Sequence, residues 1–298
     1  MRRSIVEQTS WRLEQGAEVV PDARVIERLG GGSAYEAYRA FDERLFAPVV
    51  VKVVRPHLVD DPSTLRGLRR EVQMVGRLNH PVIVRGFHAS VEGDRPYLAM
   101  ESLDGPRLST LLRKFGPLPL EQLLPLGLEM SSALHYLREV GVVHLDVKPS
   151  NIIMGAPPRL IDLSVARTVE QAAELEDVVG TDGYLAPEQA DPPRSGQPGT
   201  PADIWGLGVT LFEAAAGRRP FADGVRDEEA APELRWPQLV ERPDPLPSTV
   251  PDAVAKIVLA CLDPEPQARP TPAELAALLE PLVETLPRPR LGGFRPTI

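Results

Sequence analysis

Residues 144–151 read His-Leu-Asp-Val-Lys-Pro-Ser-Asn. A carboxylate at Asp146, an ammonium at Lys148 and an amide at Asn151 are the residue types of a catalytic loop. Each taken alone has an ordinary reading: Asp146 as the cap of a turn, Lys148 as a surface lysine. Two further charges stand out by their setting. Lys52 is the lone charge in APVVVKVV (47–54), a β-branched run with the character of a buried strand. An unpaired ammonium there would carry a heavy desolvation cost, so it needs an anionic partner. Glu71 is the candidate. On a helix it falls angularly between Val75 and Leu78, on the inward apolar stripe and not among solvated charges.

The elements that must position these groups fall into two halves. ARVIERL (23–29) and AYEAYRA (34–40) flank Gly30-Gly31-Gly32, a hairpin signature ahead of the Lys52 strand. Asp61-Pro62 is an N-cap and first-turn pair opening a helix whose apolar stripe is Leu65, Leu68, Val72, Val75 and Leu78. VIVRGFHAS, a turn at Glu92-Gly93-Asp94 and PYLAMES return the chain to strands. From Pro106 onward long helices take over: 120–140 with Pro125 inside and Gly141 just beyond, then 203–217, apolar nearly all round, then PDAVAKIVLACL and TPAELAALLEPL. The turn Asp104-Gly105-Pro106 is the expected hinge.

Bulk composition narrows the class. With 298 residues there is room for one large domain or two packed lobes. The net charge of −9 argues against nucleic-acid binding through a dominant basic surface. The single cysteine, Cys261, excludes an intramolecular disulfide and reads best as a small buried hydrophobe. No apolar run reaches the roughly 20 residues that span a bilayer, and MRRSIVEQTSWRLEQ lacks the apolar core of a signal peptide. These features predict a soluble, cytoplasmic protein.

Taken together, the motifs resemble those of eukaryotic-type protein kinases, and the bacterial serine/threonine kinases above all, over about residues 22–285. The resemblance implies an α+β, bilobal fold: a β-rich N-lobe with one principal helix (22–102), a hinge at 101–106 and a mainly helical C-lobe (106–285). It leaves 1–21 as an N-terminal extension and 286–298 as a C-terminal tail. It further implies ATP with Mg²⁺ or Mn²⁺, and a protein substrate carrying serine or threonine. Leu29 and Gly30-Gly31-Gly32 stand for the phosphate-covering loop, with Tyr35 at its third glycine position. Ala37 and Val50 would roof the adenine, each holding the residue the family usually places at the other, so the summed volume is kept. Met100, Glu101, Leu103 and Asp104 would line the nucleotide at the hinge.

On the same resemblance Lys52 contacts the α and β phosphates and pairs with Glu71. Asp146 is the base that accepts the substrate hydroxyl's proton, Lys148 stabilises the transferring phosphoryl group, and Asn151 and Asp162 ligate the metal. Asp162-Leu163-Ser164 stands where the family has D-F-G. Thr181 in GTDGYLAPEQ would help to seat the acceptor peptide; Glu188 with Arg269, and Asp203, are scaffold.

Three readings compete. All six charged or amide groups of phosphoryl transfer are present, which favours an active serine/threonine kinase. Tyr35, Leu145 and the D-L-S motif motivate a nucleotide-binding pseudokinase acting as an interaction module. A small-molecule phosphotransferase ranks last, because Lys148 and the GT…APE peptide platform are both present. Leu145 stands where related loops carry an arginine that grips a phosphorylated activation loop. Between Ser164 and Thr181 the one hydroxyl is Thr168, amid Glu170, Glu174, Glu176 and Asp177. A phosphate there is expected to meet like charges and to lack its usual arginine, so activity is predicted not to depend on it. With no sensor domain in the sequence, input is expected from a separate regulatory partner, a substrate complex or the segment around Trp11.

Overall fold

The computed structural model describes residues 9–227 and 229–287. A six-stranded antiparallel sheet forms one lobe, in the order β1 (Glu18–Val20), β2 (Ala23–Gly31), β3 (Tyr35–Asp42), β4 (Ala47–Val54), β6 (Tyr97–Glu101), β5 (Gly86–Ser90). β4 is central, and its β-branched residues Val49, Val51 and Val53 are fully buried. Alternation turns Lys52 to the other face, opposite Ala37 on β3 and Leu98 on β6.

That face is covered by α1 (Pro62–Arg77). Asp61 caps the helix, its side chain accepting from the Thr64 N–H at 2.7 Å, and Pro62 occupies the first turn. Leu68, Glu71, Met74 and Val75 form its buried face, so the one acidic residue of that face is carried inward by its apolar neighbours.

Two sequence boundaries move. β1 pairs with β2, and the Trp11 indole donates to the Val54 carbonyl at 2.8 Å, with Arg95 over its ring. The sheet therefore starts before residue 22, and the segment expected as an extension is packed on this lobe from Trp11 onward. Conversely, the strand expected over 82–90 begins only at Gly86. Val82, Ile83 and Val84 are buried, and the backbone of this stretch bonds to Leu160 of the other lobe.

The second lobe is helical: α2 (Leu108–Phe115), α3 (Leu120–Glu139), the short α4 (Val169–Ala173), α5 (Thr200–Ala216), α6 (Asp252–Ala260) and α7 (Pro272–Glu284). Gly141 lies just past α3 with φ 68°, the left-handed conformation that suits glycine. α5 is buried on nearly every side, as its all-round apolar sequence requires. Its Gly206 lets the helix approach the loop below: a Cβ there would stand 2.9 Å from the Val147 carbonyl. Short antiparallel pairs, β7 (Val142–Val143) with β10 (Arg167–Thr168) and β8 (Ile152–Ile153) with β9 (Arg159–Leu160), frame that loop. This sheet lobe above a helical lobe is the bilobal protein-kinase arrangement. Among the described residues, no helix is long and apolar enough to cross a membrane.

Candidate active site

The loop between β7 and β8 is fixed from below by one buried carboxylate. Asp203, in the first turn of α5, accepts from the N–H groups of His144 and Leu145 at 2.8 Å each. Burial pushes its carboxyl up, and the two N–H bonds oppose that shift. Leu145 takes φ 66°, a conformation that strains a bulky side chain. Besides the Asp203 bond, the Gln189 amide holds it there, donating to the Leu145 carbonyl at 2.9 Å and to that of Val179 at 3.0 Å. The Leu145 side chain is 3% exposed and belongs to the apolar core.

Above this support, Asp146 gathers three donors. Its Oδ2 accepts from Lys148 Nζ at 2.6 Å and from Asn151 Nδ2 at 2.9 Å, and its Oδ1 accepts from Thr181 Oγ1 at 2.7 Å. Lys148 also donates to Thr181 Oγ1. With the Asn151 amide nitrogen bonded to Asp146, Asn151 Oδ1 is the atom it offers to a cation. His144, fully buried, bonds through its ring to the Asp146 N–H and the Ile161 carbonyl, both at 3.3 Å, and so ties this loop to the Asp162 segment.

A second cluster lies between the lobes. Lys52 Nζ is 2.9 and 2.8 Å from the two Glu71 oxygens and 3.2 Å from Asp162 Oδ1. Burial alone would push the Lys52 ammonium down, but the Glu71 and Asp162 carboxylates outweigh it and hold it above the ordinary lysine range. Burial raises the Glu71 carboxyl, with Lys52 pulling the other way. Asp162 is brought down to about 2: burial opposes the shift, and Lys52 and the Ser164 hydroxyl overcome it. Leu163 is buried at 1% exposure between the lobes.

Asn151 and Asp162 contribute an amide oxygen and an ionised carboxylate, a hard-oxygen set suited to Mg²⁺, which takes few protein ligands and keeps water and phosphate oxygens. Among the described residues no cluster of three or more His, Cys, Asp or Glu forms a self-sufficient metal cage. The donor set therefore fits a metal that arrives with a phosphate-bearing substrate.

Leu29, Gly30 and Gly31 end β2, and the turn begins at Gly32, so the glycine triplet is mostly strand and not the whole turn expected. A Cβ at Gly31 would collide with the Tyr35 carbonyl across the hairpin. Tyr35 itself lays its ring 4.6 Å from Lys52 Nζ and donates to the Thr64 carbonyl on α1 at 3.1 Å. Ala37 and Val50 are half-buried on β3 and β4, and Met100 and Glu101 end β6, followed by Leu103 and Asp104 in the connection between lobes. Glu101 pairs with Arg159 at 3.4 Å. Glu188 and Arg269 form a buried two-pronged pair at 2.6 and 2.8 Å.

Thr168, expected to lie among like charges and without the usual loop arginine, also lines a groove with Arg66, Arg69, Arg70 and Arg77 of α1. These cations come from a helix about a hundred residues earlier, so local sequence around Thr168 gave no sign of them. His144, Gln189 and the Tyr35 hydroxyl were also not singled out. For Gln189 the only signal was its place directly after Glu188.

With this geometry in hand, the comparisons are direct. The protein kinase domain family matches residues 23–278, and the chain belongs to that family. It is 35% identical to the probable serine/threonine-protein kinase PkwA of Thermomonospora curvata over 266 residues, covering 86% of this chain and 33% of that protein. Serine/threonine-protein kinase PkaA of Streptomyces coelicolor is 35% identical over 244 residues, 79% of this chain and 43% of that protein. PknA of Mycobacterium tuberculosis is 32% identical over 256 residues, 83% of this chain and 57% of that protein. The chain thus spans about a third to somewhat over half of the relatives it matches.

Proposed function

We propose that this chain is an ATP- and Mg²⁺-dependent serine/threonine protein kinase. The observation that carries the reading is the joint assembly of two charge clusters: Asp146 with Lys148, Asn151 and Thr181, and Lys52 between Glu71 and Asp162. Phosphoryl transfer asks a protein mainly for position and opposing charge, and these groups provide both. In this reading Asp146 Oδ1, which already accepts from one hydroxyl, receives the proton of the acceptor serine or threonine. Lys148, which donates to the other carboxylate oxygen, Oδ2, stabilises charge on the group in transit. Lys52, fixed by Glu71, orients the α and β phosphates under Gly30–Gly32. Mg²⁺ on Asp162 and Asn151 Oδ1 would neutralise phosphate charge when bound. Ala37, Val50, Met100, Glu101, Leu103 and Asp104 would enclose the adenine, and Thr181 would seat the acceptor segment. A protein substrate, a cytoplasmic location and input from a separate partner belong to the same reading.

We also assign the chain no need for a phosphorylated activation segment. Leu145 is an apolar core residue where the usual gripping arginine would stand, and Lys52–Glu71 and Thr181–Asp146 are paired through their own side chains. Thr168→Ala is expected to retain activity; its loss in a folded protein would overturn this assignment. One observation favours the alternative, a nucleotide-binding pseudokinase: the Tyr35 ring over Lys52 stands where the third glycine would leave space for phosphates. Transfer of labelled γ-phosphate to a generic protein, absent in Asp146→Asn, supports the kinase. Nucleotide binding without transfer would support the pseudokinase.

A further inference from the structure

On α1, Arg66, Arg70, Gln73 and Arg77 follow one another at intervals of four, three and four residues. They therefore form a single stripe along the helix, beside the buried face that carries Glu71. Arg69 borders the stripe, and Thr168 and Gln171 of the activation segment form the opposite wall of a groove of about 450 Å³. Arg66, Arg69 and Arg77 are exposed and Arg70 half-buried. None of the four makes an ion pair or side-chain hydrogen bond among the described residues. Arg66 and Arg77 each lie near one carboxylate, Asp61 and Glu170, without bridging it.

Like charges four residues apart oppose the helix that holds them. Next to Thr168, Arg167 is pushed down to about 10, first by burial and then by Arg70. A chain of net charge −9 has carboxylates to spare, yet among the described residues bridges none of these four cations. The row is long as well as charged. Arg66 to Arg77 covers about 16 Å of helix, the length of roughly five residues of extended chain. One phosphate, such as a modified Thr168 would carry, could meet two adjacent arginines and leave the rest unmatched.

We propose that this groove docks a short, extended acidic segment of a partner protein, its carboxylates matched to the arginine stripe. The terminal segments of this chain have the wrong charge for the role. Residues 1–8 hold two arginines and one glutamate, and residues 288–298 hold three arginines and no acid. A nucleic acid would need a broader basic field than one helix face. An acidic segment lying between α1 and the activation segment would tie the helix bearing Glu71 to the loop leading to Thr181. This goes beyond the kinase reading, and its test does not require phosphate transfer.

The test is fluorescence anisotropy of the full chain with a labelled octaglutamate peptide, at low ionic strength where such contacts are least screened. Saturable binding is expected, weakened about tenfold or more by the double reversal Arg66→Glu with Arg70→Glu, since both would then repel the ligand. Arg113→Glu, on the exposed face of α2, should leave it unchanged. Absence of binding, or equal weakening by both variants, would overturn the proposal. So would a labelled single-stranded oligonucleotide that binds more tightly than the peptide through the same arginines. Loss of peptide binding on phosphorylation of Thr168 fits the proposal, because the phosphate would then occupy part of the same groove.

Discussion

Leu145 is the residue on which the proposed independence from activation-segment phosphorylation turns. It sits at positive φ in the apolar core, held by Asp203 below and Gln189 beside. Restoring the arginine common in related loops would therefore place a cation among apolar core side chains. Leu145→Arg is expected to lower unfolding stability by about 2–4 kcal/mol, read from the urea midpoint. An unchanged midpoint would mean that the side chain finds an outlet to solvent or an anion. The pairing of Lys52 with Glu71 was legible because an unpaired charge in apolar surroundings demands a partner; Asp146, Asn151 and Asp162 were legible as a set only through the resemblance to protein kinases. Gln189 and His144 were not legible, since an amide or imidazole bonding to backbone leaves no trace in side-chain pattern.

At the scale of elements, the position of α1 sets the geometry around Lys52. Three attachments hold it: the Asp61 cap, the Tyr35 hydroxyl on Thr64, and Glu71 on Lys52. Asp61→Ala should cost about 1 kcal/mol of stability, measured by chemical denaturation, through loss of the cap. Tyr35→Phe removes one hydrogen bond and keeps the ring over Lys52. It should cost about 0.5–1.5 kcal/mol and leave the nucleotide dissociation constant nearly unchanged, as calorimetry would register. A large change in nucleotide affinity would show that the hydroxyl, not the ring, governs access to Lys52. The cap and the apolar stripe of α1 were readable in sequence because both are local. Its arginine groove was not, because Thr168 reaches it only through the fold. Val82–Val84 were misjudged as sheet for a similar reason: their β-branched character was right, but their backbone partner, Leu160, lies in the other lobe.

For the molecule as a whole, stability rests on the joined core of the helical lobe and its buried polar ties. Removing one partner of the Glu188–Arg269 pair leaves a charge stranded where both side chains are at most 1% exposed. Arg269→Ala should therefore cost about 3–5 kcal/mol, far more than an exposed pair such as Arg24–Glu43. Thermal unfolding of the two variants side by side gives the comparison, and similar losses would contradict it. Cys261 offers a readout of the same lobe's integrity. It is fully buried, and burial pushes its thiol up to about 12. At pH 8 it should resist a thiol reagent in the folded protein and react at once in denaturant. The bilobal organisation was legible from the switch near Pro106 from alternating to helical patterning. The contribution of residues 11–20 to the sheet lobe was not, because a three-residue strand and one indole are too little signal to distinguish from a tail.

We propose that the Asp146 loop transfers phosphate while its usual phosphorylation switch is disconnected. The measurement that bears on it most directly is the initial rate of γ-phosphate transfer from ATP to a protein acceptor, followed by identification of the modified amino acid. Wild type and Thr168→Ala should transfer to serine or threonine at comparable rates, and Asp146→Asn should be slower by roughly 10²–10⁴-fold. Equal rates in wild type and Asp146→Asn, or activity that vanishes in a folded Thr168→Ala protein, would contradict it.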